Sequence, residues 1–321
     1  MFATGWSLFV LIFDVVIVGI TVQQYQSRDY VSTAGTVTLS EVVQKTGSKG
    51  HVSYTPHIAY RYELGGSHYF SERVRFGNVP SDSGSASAMV AAHGVGTAVT
   101  VYYDPKNPAK SLLLPGIEGA DLIGLLFLTP FNAAAIVLCG VSGGWLRERT
   151  IHPLAGGVKI IRAGMTTRAR LPHYPPWMWG VATTGLLGFV FVFIVLIGTQ
   201  GQPSLSQMAG ALAVVYLGGF GIYSWQWWKR STGIFDLVID ANARTVTLPL
   251  TFGRKEPLTA RWAEITGLIV LTIPHRGSKG GTSYTYAPTL AIQRVDQQLA
   301  DWSDEMRAQD FVEWLRKELG I

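Results

Sequence analysis

Four apolar runs, each long enough to cross a bilayer, restrict this chain more than any other feature. A spanning helix needs about 20 mainly apolar residues. The runs are Trp6 to about Tyr25, about Leu122 to Leu146, Trp177 to about Thr199, and about Met208 to Trp228. Trp6, Trp145, Trp177, Trp179, Trp225, Trp227 and Trp228 stand at their ends. That is where indole rings settle at a membrane–water interface. Composition agrees: 15% of residues are charged and 48% are hydrophobic, where soluble domains carry about 25% charged residues. The one cysteine, Cys139, excludes a disulfide framework or a Cys-based zinc site within one chain. The expected fold class is therefore a membrane protein of mixed α and β structure.

Orientation follows from the basic residues near the runs. Segment 147–176 carries Arg147, Arg149, Lys159, Arg162, Arg168 and Arg170 against one acid, Glu148. The short connection after the third run has no Lys or Arg, and Lys229 and Arg230 follow the fourth run directly. The positive-inside rule then puts 147–176 and the C-terminal tail in the cytoplasm. Four spans put the N-terminus there too and segment 26–117 outside. The first run has no Lys or Arg before it and no A-x-A site after it, so it reads as an uncleaved signal anchor. The expected organisation is helix 1 (1–25), an outer β-rich domain (26–117), helix 2 (118–146), a basic cytoplasmic loop (147–176), helices 3 and 4 (177–230) and a cytoplasmic domain (231–321). The expected location is a bacterial plasma membrane.

Within 33–117 the pattern alternates as strands do. TAGTVTLSEVV is followed by TPHIAYRYELGG, which puts Ile58, Tyr60 and Tyr62 on one face. SHYFSERVRF comes next, then SASAMVAAHG as a short helix. TAVTVYYDP reads as the last strand, stopped by Asp104, Pro105, Asn107 and Pro108. AGTV at 34–37, Y-x-Y at 60–62, SHYFSERV and VYYDPKNPAKSLL, with flanking apolar runs, together resemble the bacterial membrane family called domain of unknown function 3592. The resemblance spans about residues 5–140. It implies a fold and no established chemistry.

The C-terminal region alternates Phe235, Leu237 and Ile239, turns at ANAR and returns along TVTLPL. It ends in a helix from about Asp304 to Leu319, capped by Asp301 or Ser303. The helix's apolar stripe is Ala308, Phe311, Val312, Leu315 and Leu319. Strands closed by one amphipathic helix are similar to a bacterial pleckstrin-homology-like β-barrel, and RWAEITGL is similar to its W-x-x-I segment.

Searches for chemistry mostly fail. No P-loop, nucleophile elbow, H-E-x-x-H or C-x-x-C is present, so a non-enzymatic protein with no cofactor is expected. His51, His57 and His68 with Glu63 and Glu72 match no standard metal-ligand spacing. Arg276, next to the glycine-rich strand connection Gly277–Gly281, and Lys279, within it, are candidates for inner-leaflet lipid contact. The basic 147–176 segment lacks a stacking module, so nucleic acid is not an expected partner.

Asp14 is the unusual residue, about 12 Å into the first run. A central Asp costs roughly 2.5–3.5 kcal/mol to insert. A polar clasp is the expected role, with Asn132, Thr184 and Tyr216 as candidate partners at similar depth. Asn132 is the best of these, because helices 1 and 2 bracket the outer domain. Gly180, Thr184 and Gly188 are expected to pack against Ala209 and Ala213 in an antiparallel hairpin of helices 3 and 4. The expected function is a membrane scaffold or sensor coupling the outer domain to the cytoplasmic one. Its partners would be the lipid bilayer and other membrane or envelope proteins. A small transporter or channel subunit using Asp14 is the alternative.

Overall fold

The structure is a computed structural model describing residues 2–46, 52–77, 83–143, 155–276 and 282–321. It forms two compact units, residues 1–136 with 184–218 and residues 137–183 with 219–321.

The first unit opens with helix α1 (Phe2–Gln26). A five-stranded antiparallel sheet follows, in the order β3-β2-β1-β4-β5. The strands are β1 (Val31–Thr46), β2 (Val52–Leu64), β3 (Ser67–Ser71), β4 (Ala98–Asp104) and β5 (Asn107–Leu112). Helix α2 (Ser83–Ala92) packs on β1 and β2. The alternation in β2 has the expected result: Ile58, Tyr60 and Tyr62 are all buried, with Val37, Val74, Val101 and Leu113 around them. Both tyrosine hydroxyls are satisfied inside. Tyr60 donates to the Arg73 carbonyl at 2.9 Å, and Tyr62 donates to the Pro108 carbonyl. Phenylalanine at either position would leave that carbonyl without this donor, which is a physical reason for Y-x-Y. In AGTV, the glycine is fixed by crowding. A Cβ on Gly35 would lie 2.5 Å from Val101 Cγ2 and 2.9 Å from the Arg61 carbonyl oxygen.

Two strand expectations need correction. TAVTVYYDP is not the last strand, because DPKN is a turn and β5 runs on through Pro108. Proline is tolerated there because β5 is an edge strand and needs one fewer row of donors. SHYFSERVRF is a strand only to Ser71. Beyond it, the Val74 carbonyl accepts from the backbone of Leu113 and Leu114, which draws the segment off the sheet.

Among the described residues, four helices are long and apolar enough to cross a membrane: α1, α3 (Ile123–Ser142), α4 (Pro176–Gly198) and α5 (Leu205–Ser231). Their length and composition are compatible with a multi-pass membrane protein. On α1 alone Leu8, Phe9, Leu11, Ile12, Val15 and Val16 are exposed. A face of that size is stable only against hydrocarbon or another apolar surface.

The small residues of α4 do not all serve the expected hairpin. Gly180 faces Tyr223 and Gly219 of α5. Gly185 and Gly188 face α3 instead: a Cβ on Gly188 would lie 2.0 Å from Thr129 Oγ1, and one on Gly185 2.6 Å from Ala133 Cβ. On α5, Ala209 and Ala213 are exposed, and Met208, Ala211 and Val215 are buried. The four-residue spacing was real, but its register serves two neighbours, because α4 turns about 100° per residue and shows α3 and α5 different faces.

The second unit holds the C-terminal strands. Its larger sheet runs β10-β9-β8-β7-β6 and its smaller one β11-β12-β13. Strands β6 (Lys159–Ala163) and β7 (Thr166–Arg170) come from the segment expected to be a basic loop. Its interleaved basic and apolar residues are a strand alternation: Thr167 and Ala169 point in, and Arg168 points out. β7 pairs with β8 (Asp236–Asp240) from Thr166↔Asp240 to Arg170↔Asp236, so α4 and α5 lie in sequence between two paired strands. β9 (Thr245–Leu248), β10 (Leu258–Arg261), β11 (Ile265–Arg276), β12 (Thr282–Ile292) and β13 (Val295–Gln298) complete the sheets.

Helix α6 (Glu305–Leu319) buries all five residues of its expected stripe. They join Leu237, Ile239, Val246, Leu248 and Leu290 in one core. Its cap is Asp304 rather than Asp301 or Ser303, with Oδ1 3.0 Å from the Met306 N–H. Gly320 ends the helix in the left-handed region, with φ 68°. Asp304→Ala should lower the unfolding free energy by about 1 kcal/mol, read as an earlier denaturation midpoint in detergent.

Candidate functional site

The most constrained polar arrangement of the first unit lies where the last turn of α1 meets the start of α3. Gln24 is fully buried at the end of an apolar helix. Its Nε2 donates to the carbonyls of Leu114 at 2.9 Å and Gly116 at 2.6 Å. Its Oε1 accepts from the Phe76 and Gly77 N–H groups at 2.7 and 3.3 Å. One amide thus fastens two chain segments to α1. Ser27, also buried, accepts from the Gly116 N–H at 2.9 Å.

Beside it, the Arg75 guanidinium donates to Asp121 Oδ2 at 2.6 Å and to Glu118. The Arg75 side chain is 3% exposed and that of Asp121 1%, while Glu118 stands 63% exposed. A desolvated pair of this kind holds position because neither partner can be removed without stranding the other charge. Asp121 Oδ2 also accepts from the Glu118 N–H at 2.9 Å, closing the turn that leads into α3. A cleft of about 570 Å³ opens here, lined in part by Arg75, Leu114, Glu118, Gly119, Pro203 and Ser204.

The strand network that carries this junction has a counterpart among known families. Residues 33–118 match the family described as domain of unknown function (DUF3592). The DUF3592 segment therefore includes all of the sheet except Val31 and Ser32, together with Arg75 and Glu118, and it ends three residues short of Asp121. No curated protein and no solved structure matches the chain.

The residues singled out from the sequence are placed as follows. Asn132 Nδ2 donates to Asp14 Oδ1 at 2.8 Å, joining α3 to α1. The Trp6 indole stacks on Phe131 at 6.1 Å along the same contact. Thr184 is half-buried on α4. Tyr216 is 55% exposed on α5, a position suited to lipid rather than to a buried acid. Arg276 ends β11, paired in register with Thr282, and Lys279 lies outside the described residues.

Among the described residues, no group of three or more His, Cys, Asp or Glu is arranged to hold a metal. His51 lies outside them. His57 sits between two carboxylates instead, 3.2 Å from Glu72 and 3.4 Å from Glu41, and His68 is 3.7 Å from Glu63. The hydrogen bond to Glu72, then that to Glu41, raises the His57 pKa above its ordinary value of 6.5. Protonated His57 therefore favours the folded state at acid and neutral pH. That contribution is complete below pH 6.5 and fades as pH rises through the folded value. In NMR titration the His57 ring should change charge above pH 6.5, and Glu72→Gln should move the midpoint down. His173 should do the reverse, because burial against Phe235 (ring centroids 4.4 Å apart) lowers its pKa.

Gln24, Arg75, Glu118 and Asp121 were not singled out from the sequence. The available signal was position: Gln24 and Asp121 are polar residues at the edges of apolar runs. Arg75 gave none, because an Arg in a polar loop is ordinarily solvated.

Proposed function

We propose that this protein is a non-enzymatic scaffold or sensor of the bacterial plasma membrane, with both termini cytoplasmic and the DUF3592 segment outside. The basic residues flanking α4 and α5, and the absence of any from their connection, support that orientation. In this reading the C-terminal strands and α6 form a pleckstrin-like barrel on the cytoplasmic side. Two antiparallel sheets and one closing helix support it.

The junction of Gln24, Arg75 and Asp121 carries the proposal. It ties the outer sheet to the ends of α1 and α3 through buried bonds that a swivelling domain would break. A load on the outer sheet then reaches both helices rather than being lost in a linker. The structural role of Asp14 fits the same picture. Its bond to Asn132 is worth about 0.6–2 kcal/mol and orients α1 against α3. A proton relay needs a series of ionisable groups along a path, and the four apolar runs of the sequence offer no second deeply placed acid.

Proteoliposomes separate this from transport. Protein-dependent proton or cation flux should be absent, and Asp14→Asn should change nothing but stability. Flux that Asp14→Asn abolishes would transfer the function to a transporter. The coupling itself is read by hydrogen exchange in nanodiscs. Arg75→Met should loosen residues 113–124 and also alter exchange within 236–319. A change confined to 113–124 would argue against coupling.

A further inference from the structure

The second unit contains a cavity of about 380 Å³ bounded by Arg170, Pro176, Trp227, Arg230 and Ser231. Three elements build it. Arg170 ends β7, Pro176 opens α4, and Trp227 with Arg230 and Ser231 closes α5. Asp236, whose side chain is 4% exposed, lies 3.5 Å from Arg170 Nε, and its field reaches Arg230. Arg168 lies outside the lining, where its Nη1 and Asp236 Oδ2 both border Gly233. Arg170 and Arg230 line the cavity and, among the described residues, no carboxylate does, so its wall is net positive. Asp236 holds Arg170 in place, and a guanidinium fork matches the geometry of a planar or tetrahedral oxyanion. Trp227 is 57% exposed at the rim, and the neighbouring Lys229 ammonium stands 3.6 Å over the Trp225 ring. An apolar lip of tryptophan beside a cationic floor, at the end of a bilayer-length helix, sits where lipid phosphates lie.

We propose that this cavity binds the phosphate headgroup of an anionic phospholipid. The inference rests on the reading that α4 and α5 cross the membrane with these ends in the cytoplasm. There the inner leaflet supplies negatively charged lipid, and the site would hold β7 and the ends of α4 and α5 at a fixed depth. Arg276, at the end of β11, is not among its lining residues.

The test uses the full chain in neutral detergent, with bound lipid counted by native mass spectrometry. Phosphatidylglycerol should be retained at least fivefold better than phosphatidylcholine, which carries a phosphate but no net charge. Arg170→Gln and Arg230→Gln should each remove about fivefold of that retention, and Arg276→Gln should leave it intact. Arg170→Gln also disturbs Asp236, so Arg230→Lys provides a second series if that variant fails to fold. Retention should then fall from wild type through Lys to Gln. Equal retention of the two lipids, or wild-type retention by the Arg230 variants, would overturn the proposal. So would displacement of phosphatidylglycerol by glycerol phosphate at equal concentration, because the site would then be reading a soluble phosphate. Orientation is scored separately, by labelling Ser204→Cys in a Cys139→Ala background in intact cells. Labelling only after permeabilisation would refute the orientation, and the lipid counts would still judge the cavity's chemistry.

Discussion

Arg75→Met should be among the most damaging single substitutions in the first unit, lowering stability by about 3–5 kcal/mol. The figure is that for removing one partner of a buried ion pair. It applies because Asp121 is 1% exposed and would be left charged with its strongest donor gone. Methionine keeps most of the volume, so the loss isolates the charge. The effect should be reciprocal: adding Asp121→Asn to Arg75→Met should recover more than half of it. Asparagine no longer strands a charge and can still accept from the Glu118 N–H. Denaturation of the purified protein in detergent, followed by tryptophan fluorescence, gives both numbers. A single variant that melts with the wild type, or a double variant no better than the single, would show that the pair is not a desolvated lock. Glu118→Gln is the internal contrast. Glu118 is largely exposed, so its loss should cost less than about 1 kcal/mol.

Phe311→Ala should cost about 3–5 kcal/mol in the second unit. Phe311 has no exposed surface; it stacks with Trp302 at 5.0 Å and meets Trp314 in a tilted contact at 5.7 Å. Its loss would leave a cavity under α6 that this aromatic cluster cannot collapse to fill. The measured result should be early exposure of the C-terminal region to protease, with α6 cut before the sheets. Phe311→Leu, which conserves most of the volume, should cost less than half as much. Equal effects of alanine and leucine would mean that α6 is held by its ends rather than by this core.

The physical periods explain which features were readable from the sequence. A bilayer imposes a length near 20 apolar residues, and α1, α3, α4 and α5 each satisfy it without reference to anything else in the chain. Strand alternation has period two, so the buried face of Ile58, Tyr60 and Tyr62 is fixed by the sequence once one core-facing residue is known. The stripe of α6 follows from period 3.6 in the same way. The depth match between Asp14 and Asn132 needed only helical rise and an assumed pairing of the first two spans.

What the sequence left open are choices among neighbours that are close in space and distant in the chain. Gly188 is suited to a close helix contact, but only tertiary packing decided that α3 rather than α5 fills it. Segment 159–170 alternates weakly and is rich in arginine. It becomes two strands because β8, some 70 residues later, offers an open edge to pair with. Pro108 stops a central strand but not an edge strand, and edge position is a property of the finished sheet. The junction is the clearest case. Gln24, Arg75 and Asp121 are far apart in sequence, and each alone is an ordinary polar residue. Burial converts them into a lock, because the energy of a charge or an amide depends on the water excluded around it. That exclusion exists only once α1, the sheet and α3 have closed on the same point.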